Sequence, residues 1–108
     1  MKSTIPLACN MGVFTPPQRD VHLQVIDQLF QKVESVQQNE NGYEFTLPNQ
    51  TDLIIRIGEF IANERLCCPF LEFALKVTPN NKPISLLLTG PEGIHEFMRA
   101  EFSEAFTS

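Results

Sequence analysis

The chain has no tryptophan, a single tyrosine and only five glycines. Its apolar bulk therefore has to come from nine phenylalanines together with leucine and isoleucine. Basic residues are scarce: eight Lys and Arg stand against thirteen Asp and Glu, for a net charge of −5 and a pI of about 4.9. Nucleic-acid grooves and anionic membrane surfaces both need Lys and Arg opposite their phosphates, so neither is an expected partner. No stretch approaches the roughly 18 consecutive apolar residues of a membrane span. Leu7-Ala8-Cys9 has the outline of a lipoprotein cleavage box. However, Lys2 is the only base before it and Pro6 breaks the short apolar run, so secretion is not expected. Three cysteines, an odd number, exclude a complete intramolecular disulfide framework. A reduced, cytoplasmic protein with free thiols is the expectation.

What is present is ordinary globular material. Hydrophobic residues make up 43% and charged residues 19% of 108 residues, enough for one domain over 1–108 with a real core. Residues 1–14 read as an extended or irregular segment, pinned through Ile5, Leu7, Val13 and Phe14. Thr15-Pro16-Pro17-Gln18 is a helix start, with Thr15 and Gln18 set for a capping box and Pro16 at the first position. Val25, Ile26, Leu29, Phe30 and Val33 follow at helical spacing, which predicts a helix over about 16–32. His22 borders that stripe.

The period then changes. Val33–Gln38 and Gly42–Pro48 read as the strands of a hairpin, with Tyr43, Phe45 and Leu47 on one face and Asn41-Gly42 as turn chemistry. Leu53, Ile54, Ile57, Phe60, Ile61 and Cys68 mark a second helix, with Asn49 or Thr51 as cap and Gly58 as a weak point that a close backbone contact would explain. Pro69 disfavours helical geometry at Cys68 and ends that helix. Phe70–Val77 and Ile84–Leu88 form a second hairpin, in which Leu87 makes the last strand apolar on both faces and hence central or partly covered. Thr89-Gly90-Pro91-Glu92 starts a third helix that runs through Phe97 and Phe102 towards Phe106. The fold class is α+β: helix, hairpin, helix, hairpin, helix, with a four-stranded, mainly antiparallel sheet and the helices on one face.

The candidate chemistry lies at the end of the second helix, in Glu64-Arg65-Leu66-Cys67-Cys68-Pro69-Phe70-Leu71. Glu64 precedes the two thiols by three and four residues, spacings that share a helical face. Its bland partners are Arg65, Arg56 or water. Three readings are open. The pair can be core, since free cysteine packs as a small hydrophobe. It can be a soft-metal site for Zn, Cu(I) or a heavier ion, with Cys67, Cys68 and the distant Cys9 as sulfur ligands and Glu64 or His22 as a further one. Adjacent cysteines diverge by about 100° on a helix, so both reach one ion only if the helix has ended, which Pro69 allows. The third reading is thiol chemistry. A helix C-terminus raises a thiol's pKa, no C-x-x-C is present, and a vicinal Cys67–Cys68 disulfide would be strained.

Other residues offer less. His95 and His22 read as solvated or capping histidines. Glu92, Glu96, Glu101 and Glu104 read as a solvated face. Gly90-Pro91-Glu92-Gly93 lacks the Lys and the glycine spacing of a P-loop.

The segment Glu64 to Phe73, with Ile84-Ser85-Leu86-Leu87-Leu88-Thr89-Gly90-Pro91-Glu92-Gly93 and Phe97, resembles a family of small uncharacterised bacterial proteins. Those proteins share an E-R-x-C-C-P-F-L segment, a later L-x-L-T-G-P-x-G segment and an early cysteine, which Cys9 would match. The resemblance covers most of 43–102 and implies no activity. The leading expectation is a small protein that binds a soft metal ion as a sensor, carrier or detoxification accessory. The alternatives are a non-catalytic interaction module that forms a homodimer through its sheet face or a strand edge, and a thiol oxidoreductase.

Overall fold

Local signals decide where the first helix begins. In the computed structural model, which describes residues 7–106, Thr15 Oγ1 accepts from Gln18 N at 3.3 Å and Thr15 N donates back to Gln18 Oε1 at 2.9 Å. This reciprocal cap starts α1 (Pro16–Phe30) at the proline. Then follow β1 (Ser35–Asn39), β2 (Gly42–Leu47), α2 (Thr51–Cys67), β3 (Glu72–Lys76), β4 (Ile84–Thr89) and α3 (Ile94–Glu101). Two short 3-10 helices, Met11–Val13 and Ser103–Phe106, flank these elements.

The four strands form one antiparallel sheet in the order β1-β2-β4-β3. Pairing aligns Val36, Phe45, Leu86 and Leu75 in one row, and Tyr43, Leu88 and Phe73 in another. Tyr43, Phe45, Leu47, Ile84, Leu86 and Leu88 are buried on that face, and the alternate residues Glu44, Leu87 and Ala74 are not. The alternation is the two-residue period of a strand with one covered face. The buried stripes of all three α-helices join the covered face in a single cluster. At its centre Phe30 stacks on Phe102 at 4.5 Å and meets Phe60 and Phe45 edge-on at 5.4 and 5.2 Å. None of the nine phenylalanines is fully exposed.

The α+β class and the antiparallel four-stranded sheet are as the pattern predicts, and β4 is central as Leu87 suggested. The plain succession of helices and hairpins is not an adequate description. The two 3-10 helices lie outside it, and α2 carries the chain from β2 to the far edge strand β3. β4 then returns between β2 and β3, so the sheet is continuous rather than two hairpin units side by side. The N-terminal segment is not wholly irregular: Asn10 caps the 3-10 turn by accepting from Gly12 N at 3.0 Å. The Ile5 anchor and the basic flank around Lys2 lie outside the described residues.

Four local expectations change. Neither Asn49 nor Thr51 caps α2, whose N-cap is Gln50 with no side-chain bond; Asn49 Nδ2 instead donates to Lys82 O at 2.9 Å. Glu40-Asn41 rather than Asn41-Gly42 form the two-residue turn; Gly42 opens β2, as the strand bounds predict, where a Cβ would come within 2.0 Å of Leu88 O. Gly58 faces open space, so no contact requires it. α3 starts at Ile94 rather than near Pro91, behind Gly93 at φ 93°, and breaks at Phe102 before the 3-10 turn.

Candidate metal centre

α2 ends where the proline rule requires. Cys67 is its last residue, and Cys68 leaves the helix at φ −123°, ψ 72°. The change of direction brings two neighbouring side chains to one side, with Cys67 Sγ 3.7 Å from Cys68 Sγ. Glu64, one turn earlier, points between them. Its Oε1 lies 3.5 Å from Cys67 Sγ and its Oε2 3.3 Å from Cys68 Sγ. Cys9 arrives from 55 residues away in sequence, with Sγ 3.9 Å from Glu64 Oε2. The N-terminal segment is held there by one backbone bond, Asn10 N to Cys67 O at 2.7 Å, which also satisfies a carbonyl that the helix end would leave unpaired.

The ligand atoms of Cys9, Glu64, Cys67 and Cys68 all lie within 4.8 Å of one another, a distance at which they can hold one metal ion. Glu64, Cys67 and Cys68 are completely buried and Cys9 is half-buried. The 3.7 Å between the paired sulfurs matches the edge of about 3.8 Å for a tetrahedron with metal–sulfur bonds of about 2.3 Å.

Two expectations about partners are overturned. Glu64 does not pair with an arginine: Arg56 bonds Gln28, and Arg65 donates to Ala62 O at 3.1 Å. Its partner is His22, whose Nε2 lies 2.7 Å from Glu64 Oε1. His22 is only 2% exposed, so it is no solvated histidine. It packs between Phe14 and Phe60, and its Nδ1 has no hydrogen-bond partner among the described residues. The stripe of α1 passes directly over α2, and His22, three residues before Val25, falls into that seam rather than beside it. His95 is half-buried, with Nε2 2.9 Å from Asn39 O and its ring against the edge of Tyr43.

The expectation of three free thiols is also overturned. Cys9 and Cys68 form a disulfide, with Cα atoms 4.6 Å apart, and Cys67 alone is free. In this state Cys9 and Cys68 carry no proton, so only the Cys67 thiol donates to Glu64. The physical reason is convergence: the cap residue at the end of α2 turns Cys68 towards the segment that Asn10 ties down. An odd cysteine count excludes a complete framework but not one bond.

Burial and the neighbouring Glu64 carboxylate push the Cys67 thiol up to about 12. Sequence reasoning gave the right sign but the wrong main cause, because loss of solvent outweighs the helix end. Glu101, expected on a solvated face, is half-buried. Burial and then the Glu64 charge raise its pKa, and His22 opposes that rise. Its place on the Ile94–Met98–Phe102 stripe was the available signal.

No helix among the described residues is long and apolar enough to cross a membrane. Comparison with known proteins adds no identity: no family model, no curated protein and no solved structure matches the chain.

Proposed function

We propose that the reduced protein binds one soft metal ion through Cys9, Cys67 and Cys68, with Glu64 as the oxygen ligand and His22 orienting Glu64. The observation that carries this is the meeting of three sulfurs and a carboxylate within 4.8 Å in a buried setting, assembled from both ends of a long sequence separation. Zn, Cu(I) and heavier soft ions are the class that thiolates prefer. A cation there would offset the cost of burying Glu64 and the sulfurs as anions. Carboxylates that ligate metals are themselves held by hydrogen bonds from outer residues, the place His22 takes here. The inferred role is a sensor, carrier or detoxification accessory in a reducing compartment such as the cytoplasm.

Metal and disulfide need the same sulfurs, so the reading applies to the dithiol form. To admit an ion, Cys9 Sγ must move from bonding distance of about 2 Å to about 3.8 Å from Cys68 Sγ. Cys9 lies on the short segment before α1, next to the Asn10 N to Cys67 O bond. A thiol oxidoreductase led by Cys67 is disfavoured, because a thiol held near 12 is scarcely ionised at neutral pH.

The test is titration of anaerobically reduced protein with Cd²⁺, followed by ultraviolet thiolate-to-metal charge-transfer absorption. A break at one ion per chain that is lost in Cys67→Ser/Cys68→Ser supports the site. Absorption that grows without a break contradicts it.

A second reading has its own support. Val13, Val21 and Leu66 are 47, 58 and 49% exposed and, with Phe14, line one groove of about 440 Å³ beside His22. An interaction module would use that groove, and a concentration-dependent mass that falls on Val21→Glu substitution would favour it.

A further inference from the structure

We infer that Cys9 is an oxidation site whose reaction with a small hydroperoxide closes the Cys9–Cys68 disulfide and expels the bound ion. This inference rests on the metal reading of the same sulfurs. Three observations single out Cys9. It is the one sulfur of the three that is not fully buried, so it is the one an oxidant reaches. Its Cα lies 4.6 Å from that of Cys68, inside the range of about 4.4–6.8 Å that disulfides span. Cys67 and Cys68 are neighbours across a trans peptide, with Cα atoms about 3.8 Å apart, below that range. The structure thus provides one exposed sulfur, one buried resolving sulfur and one bystander.

The step balances as follows. The Cys9 thiolate attacks the terminal peroxide oxygen; the O–O bond breaks, Cys9 becomes a sulfenic acid and the alkoxide leaves with a proton from solvent as an alcohol. The Cys68 thiolate then attacks the Cys9 sulfur, forming S–S and releasing hydroxide, which takes a proton to become water. Two electrons pass from the two sulfurs to the peroxide. Cys67 and Glu64 alone remain as ligands, Cys67 takes up a proton, and the ion departs. A dithiol reductant returns the two electrons and reopens the site.

The experiment loads reduced protein with Cd²⁺ under nitrogen and adds hydrogen peroxide. Released Cd²⁺ is read with a chromophoric chelator, and disulfides are mapped by alkylation and peptide mass. The expected result is one ion released per Cys9–Cys68 bond, with Cys67 recovered alkylated after unfolding and binding restored by dithiothreitol. Cys9→Ser lacks one sulfur ligand, so it is read without metal: peroxide should leave Cys68 unbridged and recovered alkylated after unfolding, and a Cys67–Cys68 bond formed at the parent's rate counts against Cys9 as the oxidised sulfur. Release with Cys67 in the disulfide, or a Cys9–Cys68 bond formed while Cd²⁺ stays bound, overturns the inference. Should Cd²⁺ not bind at all while peroxide still closes Cys9–Cys68, the metal reading fails and the oxidation site stands without an ion to expel. Mapping of the unloaded wild-type protein keeps the test decisive even if Cys9→Ser folds poorly.

Discussion

Two largely buried regions of this molecule are held in opposite ways. The aromatic centre of Phe30, Phe45, Phe60 and Phe102 has nothing to satisfy except shape: rings meet stacked or edge-on, and every contact replaces water with carbon. In the cluster of Cys9, His22, Glu64, Cys67 and Cys68 all but Cys9 are just as dry, yet each member depends on another for a hydrogen bond or a covalent bond. A hydrophobic set of the same volume would suit folding as well or better, because burying charged and polar groups is costly even when they are paired. A chain that only needed a core had an easier solution available. The polar cluster is therefore the part of the interior that stability alone does not explain.

Substitutions separate the two regions. Phe30→Ala removes the ring that touches Phe45, Phe60 and Phe102, and should cost about 4 kcal/mol in denaturant unfolding. Cd²⁺ uptake per folded molecule should be unchanged. His22→Ala should cost about 3 kcal/mol, because it leaves the Glu64 carboxylate buried without its closest partner. Unlike the phenylalanine change, it should also weaken metal binding by roughly 10- to 100-fold, as loss of a supporting hydrogen bond does elsewhere. A His22→Ala protein that loses stability but binds metal normally would place His22 with the core.

The two regions also differ in their response to pH. The reduced core carries no proton that distinguishes folded from unfolded chain, but Cys67 does. Its folded pKa is raised from 9.0 to about 12, so the folded state keeps the proton longer. The stability tied to it is complete below pH 9 and is lost as pH climbs from 9 through 12. Alkylation of Cys67 in the folded protein should be slow at neutral pH and should accelerate over that window, whereas the unfolded chain reacts readily near pH 9. The smallest effect concerns neither region. Gly58 faces solvent within α2 and touches nothing, so Gly58→Ala should stabilise by about 1 kcal/mol and leave metal uptake unchanged.

Periodicity made the aromatic region legible in the sequence. Tyr43, Phe45 and Leu47 alternate, Leu29, Phe30, Ile57 and Phe60 recur at helical steps, and the capping box marks the start of α1. The cluster was half legible. Glu64, Cys67 and Cys68 share a helical face by spacing, and Pro69 announces the helix end that lets both sulfurs turn inward. What joins them was not. Cys9 and His22 lie 55 and 42 residues from Glu64, and no local pattern carries a contact over that distance. It depends on how α1 crosses α2 and where Asn10 is tied. Glu101 was misplaced although the stripe carried a signal: it lies between Met98 and Phe102, and its half-buried carboxyl feels Glu64 and His22, both distant in sequence. The absent match for Gly58 shows the converse, a local oddity for which the packing supplies no reason.

The central claim is that the polar cluster exists to hold an ion, and the most direct measurement is the metal content of the protein as isolated. It would be purified under reducing conditions, without chelators and without a metal-binding tag, beside Cys67→Ser/Cys68→Ser. The account predicts one soft metal ion per chain in the parent and none in a folded double variant. A metal-free parent whose reduced thiols also fail to take up added Cd²⁺, with the double variant merely less stable, would contradict it and return the cysteines to the core.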